Sequence, residues 1–339
     1  MTSKKIRVFI NGFGRIGRST ARIILEDEQF ELVGINDLYA FEQMGYLLKY
    51  DSIYGTLSSS IKVENDSLFV NQHEIKLFSE LDLLKLDLKL LEIDIVLQCS
   101  GMFLTIESNL DLVKNGVKNV IVSAPSLDTM PTYIYGVNHE SYKGESIISN
   151  SSCSANAIVP IFMMIDKYFG IEAAMMSMYH SYTVYQNLLD SKHYSKDIRR
   201  TRSATQNTIP LMSGAAQATS YFFPHLHEKL SAKSIRVPIP STTLYDLSLT
   251  LTKPTTKEEI NQIFTKETVL HYQKILTCTQ TLQTSTDYTK NPHSAVINLP
   301  LTCVLDGKLL RVSAWQDNEY GYAKRLVDMT HVVGEYING

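Results

Sequence analysis

The chain has 339 residues, 44% hydrophobic and 20% charged, a composition that excludes a disordered, collagen-like or coiled-coil protein. At about 150 residues per domain the length predicts two domains, enough to bury a full core without disulfides or a structural metal. Lys and Arg total 32 against 35 Asp and Glu, so the net charge is -3 and gives no global attraction to nucleic acid or an anionic membrane. The four cysteines, Cys99, Cys153, Cys278 and Cys303, form neither a disulfide framework nor zinc-binding spacing. The first residues lack a long apolar segment with a cleavage site, and no apolar run reaches the ~20 residues of a membrane span. A cytoplasmic protein with no membrane partner is expected.

In chain order, the β-rich run IRVFIN meets Gly12, Gly14 and Gly17, and Ile16, Thr20, Ile23, Ile24 and Leu25 then follow roughly helical spacing. FELVGIND is a second strand-like run, ending on Asp37. DIVLQCSG, NVIVSAP and SIISN end at Gly101, Pro125 and Asn150 and read as further strands. A helix is predicted over 109–115, closed by Gly116 at its C′ position. Alternating strands and helices predict an α/β fold with a mostly parallel sheet.

Beyond residue 150 the pattern changes. DLSLTLTKP puts Leu247, Leu249 and Leu251 on one face and Ser248, Thr250 and Thr252 on the other, a half-exposed strand of an antiparallel sheet. LTCVLDGKLLRVSAW predicts a hairpin turning at Asp306-Gly307. The final helix carries Tyr322, Leu326, Met329, Val333 and Tyr336 on its apolar face. The domain boundary falls near Asn150.

Two motifs carry chemistry. Gly12-x-Gly14-x-x-Gly17 sits between a strand and a helix, and Asp37 ends the next strand about twenty residues on, the full context of a dinucleotide-binding turn. The glycines let backbone approach a pyrophosphate at the helix N-terminus. Asp37 suits both ribose hydroxyls and repels a 2′-phosphate. The bland alternative is a glycine-rich turn with no ligand.

The second motif is SNSSCSANAIVP, which puts Cys153 at the start of an apolar helix, where backbone N–H groups favour a thiolate. A thiol with pKa near 8.5 is only about 3% ionised at pH 7, against about 90% at a pKa near 6. His180, 27 positions downstream, leaves room for one helix and a returning strand and could serve as base. Read alone, Cys153 could be an inert buried thiol and His180 a structural histidine. His225-x-His227 lacks a third ligand nearby, so no metal site is expected.

Together, NGFGRIGR (residues 11–18), the cysteine segment, HSYT ending at Thr183, IRVP (235–238) and WQDNEYGY (315–322) resemble the phosphorylating glyceraldehyde-3-phosphate dehydrogenase family, in that family's order. The resemblance runs from residue 5 to 336. It implies an N-terminal Rossmann domain (1–151 with 319–339), an α+β catalytic domain with a mostly antiparallel sheet (152–318), NAD as cofactor and a homotetramer. It implies Cys153 as nucleophile and His180 as its base. The cofactor residues it implies are Gly12, Arg15, Ile16, Gly17, Asp37, Ser100, Ser123 and Asn318. For the substrate phosphate and the attacking inorganic phosphate it implies Ser152, Ser154, Thr183, Ser213, Gly214 and Arg236. The run KDIRRTR (196–202) matches a loop beside cofactor and substrate; read alone it is a solvated basic loop, with anion binding by some of its arginines as the sharper alternative.

The sequence also departs from the family pattern. Ser154, Ala155 and Ala157 replace the usual residues after the nucleophile, removing a second thiol at 157. Tyr185 stands where Thr or Asp is usual near the substrate phosphate. Gln217 replaces a frequent lysine, Leu81 an arginine near the adenine, and Gln316 an aromatic. The expected activity is NAD-dependent oxidative phosphorylation of a small phosphorylated aldehyde, with no nucleic-acid partner. Two alternatives stay open: an erythrose-4-phosphate dehydrogenase using water as acceptor, and an inactive dinucleotide-binding paralogue.

Overall fold

The computed structural model describes residues 4–339; residues 1–3, assigned above to the first domain, lie outside the described residues. The chain forms two compact units, one of residues 1–152 and 322–339, the other of residues 153–321.

In the first unit β1 (Ile6–Asn11) runs into α1 (Arg15–Ile24), then β2 (Phe30–Asn36), α2 (Phe41–Lys49) and two short pieces, β3 (Tyr50–Asp51) and β4 (Gly55–Thr56). A meander follows, β5 (Ile61–Glu64), β6 (Ser67–Val70) and β7 (His73–Phe78), which the sequence reading did not identify. β8 (Ile95–Gln98), α3 (Glu107–Lys114), β9 (Asn119–Val122) and β10 (Ile147–Ser149) complete the pattern. The sheet order is β10-β9-β8-β1-β2-β7-β6-β5, with the first six strands parallel and the β5–β6–β7 meander antiparallel at one edge. The mostly parallel sheet expected from the alternating pattern is therefore present.

The buried runs explain why these segments are strands. Val8, Ile95, Val96 and Val120 are fully buried, as strands covered on both faces require. α3 starts two residues before the predicted helix, and it ends as predicted. Gly116 N–H bonds to Val113 O and Val117 N–H to Leu112 O, the Schellman pairing, with Gly116 at a φ of +101° that favours glycine.

Beneath the carboxyl ends of the strands runs a one-way chain of buried amides. Asn36 Nδ2 donates to Asn11 Oδ1 (2.8 Å), Asn11 Nδ2 to Gln98 Oε1 (2.7 Å), and Gln98 Nε2 to Asn109 Oδ1 (2.9 Å). Asn109 Nδ2 then closes on Phe103 O at 2.7 Å. The chain joins β2, β1, β8 and α3 at the point where sheet order reverses around β1, the place where open α/β sheets bind ligands.

The second unit opens with α4 (Cys153–Phe169) and β11 (Ile171–Ser181), followed by β12 (Ile209–Met212), α5 (Ala215–Ser220), β13 (Leu230–Val237) and β14 (Thr243–Leu251). α6 (Lys257–Leu270), β15 (Leu276–Thr279), β16 (Ala295–Asn298), β17 (Cys303–Leu305) and β18 (Leu309–Gln316) complete it. Its sheet has the order β12-β13-β11-β14-β18-β16-β15, with β17 on β18; only β11–β13 and β15–β16 are parallel pairs. Leu247, Leu249 and Leu251 are fully buried, as their alternation predicts. The hairpin turns at Asp306 and Gly307, both at positive φ, and Lys308 N–H closes it on Leu305 O. The ladder resumes at Leu305 opposite Leu309, so Lys308 falls outside the register of a simple two-residue turn.

α7 (Tyr320–Asn338) buries Tyr322, Leu326, Met329 and Val333. Tyr336, expected on the same apolar face, is 55% exposed. Its ring packs edge-on to Tyr142 and its hydroxyl donates to Lys143 O at 2.7 Å, so it covers the surface near Gly144 instead of entering the core.

Candidate active site

The glycine turn of the first unit is built for close backbone approach. Gly12 has φ +97°, and a Cβ there would lie 2.3 Å from Ser100 N; at Gly17 it would lie 2.1 Å from Gly12 O. Gly14 heads α1 with no side-chain cap, and a Cβ there would meet nothing within 4 Å. The turn therefore offers bare backbone, the first-turn N–H groups at Arg15 and Ile16, and the positive end of the helix dipole to an anion. Arg15 directs its guanidinium to Asp51 at 2.5 Å and over the Tyr54 ring. What Arg15 can give a pyrophosphate is thus its main chain.

Asp37 follows β2 directly. Its carboxylate accepts from Phe13 N–H (2.5 Å) and Leu38 N–H (2.6 Å), which fixes it beside the turn. Ser100 abuts Gly12, and Ser123 donates to Gln98 O at 2.9 Å. Six of the seven first-unit residues implied for the cofactor, all but Ser123, thus surround one turn or adjoin it. The open cradle at Gly14 and the fixed acid fit a dinucleotide with free ribose hydroxyls.

In the second unit, α4 begins at Cys153 and His180 is the next-to-last residue of β11, the one helix and one returning strand that the spacing predicts. Cys153 Sγ lies 4.0 Å from His180 Nε2. β11 and β13 run parallel with His180 opposite Arg236, and this register brings the guanidinium to the imidazole: Arg236 Nη1 is 2.5 Å from Nδ1. Ser154 donates to the thiol from both its side chain and its backbone.

The electrostatics correct one expectation. The helix start was expected to favour a thiolate, yet burial pushes the Cys153 thiol up, against the pull of Arg236 and of Ser154. Burial, reinforced by Arg236, drives His180 down to about 3. Arg236 is itself lowered to about 10 by burial.

Arg236 opens onto a cavity of about 320 Å³, lined also by Thr183, Tyr185, His193, Tyr194, Ser195 and Arg200. Among the described residues no carboxylate pairs with Arg236 or Arg200. In the basic run, Arg199 is bound by Asp197 and Arg202 by Asp190, which leaves Arg200 to face the cavity. Of the arginines in that run, Arg200 is thus the one that lines the cavity. Tyr185, half exposed, does lie beside Thr183 and Arg236.

Asn318 Oδ1 accepts from Ser181 Oγ (3.0 Å) and Thr243 Oγ1 (3.3 Å), which fixes the carboxamide. Ser213 and Gly214 lie at the turn from β12 into α5 and make no hydrogen bond to Cys153, His180 or Arg236. Ser152 falls at the end of the first unit's main segment. Sequence reasoning missed Tyr245, which is fully buried on β14. Its hydroxyl donates to Gln316 Oε1 at 2.7 Å, and Gln316 Nε2 donates to Cys153 O at 3.2 Å. The unusual Gln316 thus ties the nucleophile's backbone to a buried tyrosine; only its departure from the family pattern signalled it.

Comparison with known proteins agrees with this arrangement. Residues 6–106 match the family described as glyceraldehyde 3-phosphate dehydrogenase, NAD binding domain, and residues 152–318 match its C-terminal domain. The chain is 38% identical to glyceraldehyde-3-phosphate dehydrogenase 2 of Bacillus subtilis over 327 residues, 96% of each chain. It is 37% identical to the Helicobacter pylori glyceraldehyde-3-phosphate dehydrogenase over 340 residues, 98% of this chain and all of the relative. The Geobacillus stearothermophilus enzyme is 38% identical over 96% of this chain and 97% of its own length. With a dinucleotide turn in one unit, a cysteine–histidine pair in the other and near full-length kinship to these enzymes, the chain belongs to the NAD-dependent glyceraldehyde-3-phosphate dehydrogenase family.

Proposed function

We propose that this protein oxidises glyceraldehyde 3-phosphate to 1,3-bisphosphoglycerate through a thioester on Cys153, with His180 as base and NAD as cofactor. The observation that carries the reading is Cys153 4.0 Å from His180, beside a guanidinium that has no carboxylate partner and faces a cavity. Gly12, Gly14, Gly17 and the backbone of Arg15 and Ile16 would hold the pyrophosphate, Asp37 the adenosine ribose, and Asn318 the carboxamide of the nicotinamide. NAD, when bound, supplies the acceptor for the hydride.

The protein's own residues do the rest. Cys153 sulfur bonds to the aldehyde carbon, and the carbonyl oxygen becomes a hydroxyl. His180 takes that hydroxyl proton as the carbon loses its hydride, leaving a thioester. Inorganic phosphate then attacks the acyl carbon, and Cys153 departs as thiolate, so an acyl phosphate forms. A thioester holds the oxidation energy in a bond that phosphate can still cleave, which an ester of serine does far less readily. Thr183 and Arg236 suit the substrate phosphate; Ser152, Ser154, Ser213 and Gly214 suit the attacking one. A charge-assisted hydrogen bond to phosphate contributes about 1.5–3 kcal/mol.

The family also brings with it a homotetramer in the cytoplasm. The exposed apolar residues Met175 and Tyr179 on β11 and Met212 on β12 are surfaces that such an assembly could cover. No helix among the described residues is long and apolar enough to cross a membrane.

The test is steady-state NADH formation from glyceraldehyde 3-phosphate and erythrose 4-phosphate, each with and without inorganic phosphate. Phosphate-dependent turnover that favours the triose is expected. Equal rates without phosphate and a preference for the tetrose would make water the acceptor. No NADH from either aldehyde would identify an inactive paralogue.

A further inference from the structure

Gln316, the last residue of β18, lies opposite Thr243 of β14 and is 1% exposed. Its Nε2 is 3.2 Å from Cys153 O, and its Oε1 is 2.7 Å from the hydroxyl of Tyr245. A peptide carbonyl only accepts, so the amide must turn Nε2 toward Cys153. Oε1 then faces Tyr245, and the tyrosine hydroxyl must donate to it. One carbonyl thus sets the direction of both bonds. Tyr245 is fully buried, and its oxygen faces the hydroxyls of Ser154 and Thr243.

The carbonyl of Cys153 and the N–H of Ser154 belong to one planar peptide group. That N–H donates to the Cys153 sulfur. Pinning the oxygen of the group therefore aims its N–H at the sulfur. A hydrogen bond accepted at the oxygen also makes the N–H a stronger donor. In the proposed reaction the sulfur carries negative charge twice, as it attacks the aldehyde carbon and as it departs from the thioester. A donor already aimed at it needs no reorganisation at either moment.

We propose, building on the dehydrogenase reading above, that Gln316 is a positioning residue for the Cys153 thiolate and that Tyr245 holds it in place. Gln316 acts through the Cys153–Ser154 peptide, so its loss slows both sulfur steps. The KM for the aldehyde and the affinity for NAD rest on Thr183, Arg236 and the glycine turn, and they stay unchanged.

Two rates test this between about pH 6 and 9, a range in which a buried carboxyl titrates. One is kcat for NADH formation. The other is alkylation of Cys153 by iodoacetamide without substrate, read by peptide mass spectrometry. Gln316→Leu keeps the bulk and removes both bonds. It should lose about tenfold in each rate at every pH, about 1.4 kcal/mol, with KM and the affinity for NAD unchanged. Gln316→Glu is the conservative variant. Its neutral acid donates to Cys153 O from one oxygen and accepts from Tyr245 at the other, whereas its carboxylate repels the carbonyl. Its rates should approach the wild type toward the acid end and fall to those of Gln316→Leu, or below, toward the alkaline end. Tyr245→Phe should lower both rates in the same direction. If Gln316→Leu does not fold, the double variant Gln316→Leu/Tyr245→Phe serves, because removing both partners strands no tyrosine hydroxyl.

Wild-type rates in Gln316→Leu, with or without a loss of stability in urea, would overturn the proposal, since the residue would then be structural only. Equal deficits in Gln316→Glu and Gln316→Leu across the whole range would overturn it too, as would a raised KM with kcat unchanged. Wild-type rates in Tyr245→Phe would remove the tyrosine's part. Failure of the dehydrogenase reading is separate. It shows as no NADH from either aldehyde phosphate in the wild type, while the alkylation rates still rank the variants as above.

Discussion

Replacing Gly17 with alanine tests how the dinucleotide turn is built. The new Cβ would lie 2.1 Å from Gly12 O and 3.3 Å from Ile10 Cγ2. Relief requires α1 to move off the turn by roughly 1 Å, because a backbone oxygen has no rotamer to escape into. The helix resists that movement. Arg18 holds Phe13 O at 2.7 Å, and the buried Arg22 holds Leu48 O at 2.6 Å. Overpacking costs about 1–3 kcal/mol, and the better helix propensity of alanine returns about 1 kcal/mol. A net loss of about 1 kcal/mol in folding stability is expected. The effect on NAD should be larger, because the first-turn N–H groups move with the helix. Losing one charge-assisted bond to the pyrophosphate, about 1.5–3 kcal/mol, raises Kd by at least about tenfold. Urea unfolding and calorimetric titration with NAD read the two effects separately. Wild-type affinity for NAD in Gly17→Ala would refute the close-approach argument.

Four further outcomes are expected. Cys153→Ser abolishes NADH formation while NAD still binds, because a serine alkoxide needs far more activation than a thiolate; NADH formed at the wild-type rate by that variant would remove the nucleophile. Asp37 should make NAD preferred over NADP by at least about tenfold, about 1.4 kcal/mol, and Asp37→Asn should narrow that ratio; equal catalytic efficiencies in the wild type would remove its role. Acid should destabilise the protein through His180. The unfolded chain protonates it near its ordinary 6.5, the folded one only near about 3, so stability falls as pH drops through that window, by up to about 1.4 kcal/mol per unit, and levels off below it. Urea midpoints at pH 6.5 and 5 should differ less in His180→Gln, and an identical pH dependence would sink the assignment. With buried Ala157 one helical turn beyond Cys153, peroxide should drive Cys153 to sulfenic acid and higher oxides, and an intramolecular disulfide on Cys153 as the main product would contradict this.

What was legible in the sequence was what local chemistry enforces. Gly12 and Gly17 announce themselves because a Cβ at either would run into backbone, Gly14 completes their spacing, and the gap from Cys153 to His180 measures out one helix and one strand. The alternation in DLSLTLTKP reports its own burial. Less visible was what depends on pairing between distant strands. Nothing near Arg236 in the sequence says that it lies opposite His180, since the parallel β11–β13 register is set across some 55 residues of intervening chain. Tyr245 was masked by the leucines that alternate with it, and the strands of the β5–β7 meander are too short and too mixed in polarity to stand out. Tyr336 kept helical spacing yet lies outside the core, because spacing fixes the face of a helix but not where the core beneath it ends.

The amide chain under the dinucleotide turn has a further consequence. Each side chain donates forward and accepts from behind, so Asn36, Asn11, Gln98 and Asn109 share one polarity. Turning any one of them over would set amine against amine on one side and oxygen against oxygen on the other. The orientation of each amide is therefore dictated by its neighbours, and replacing any one of the four with an apolar residue strands a buried donor and a buried acceptor beneath the turn.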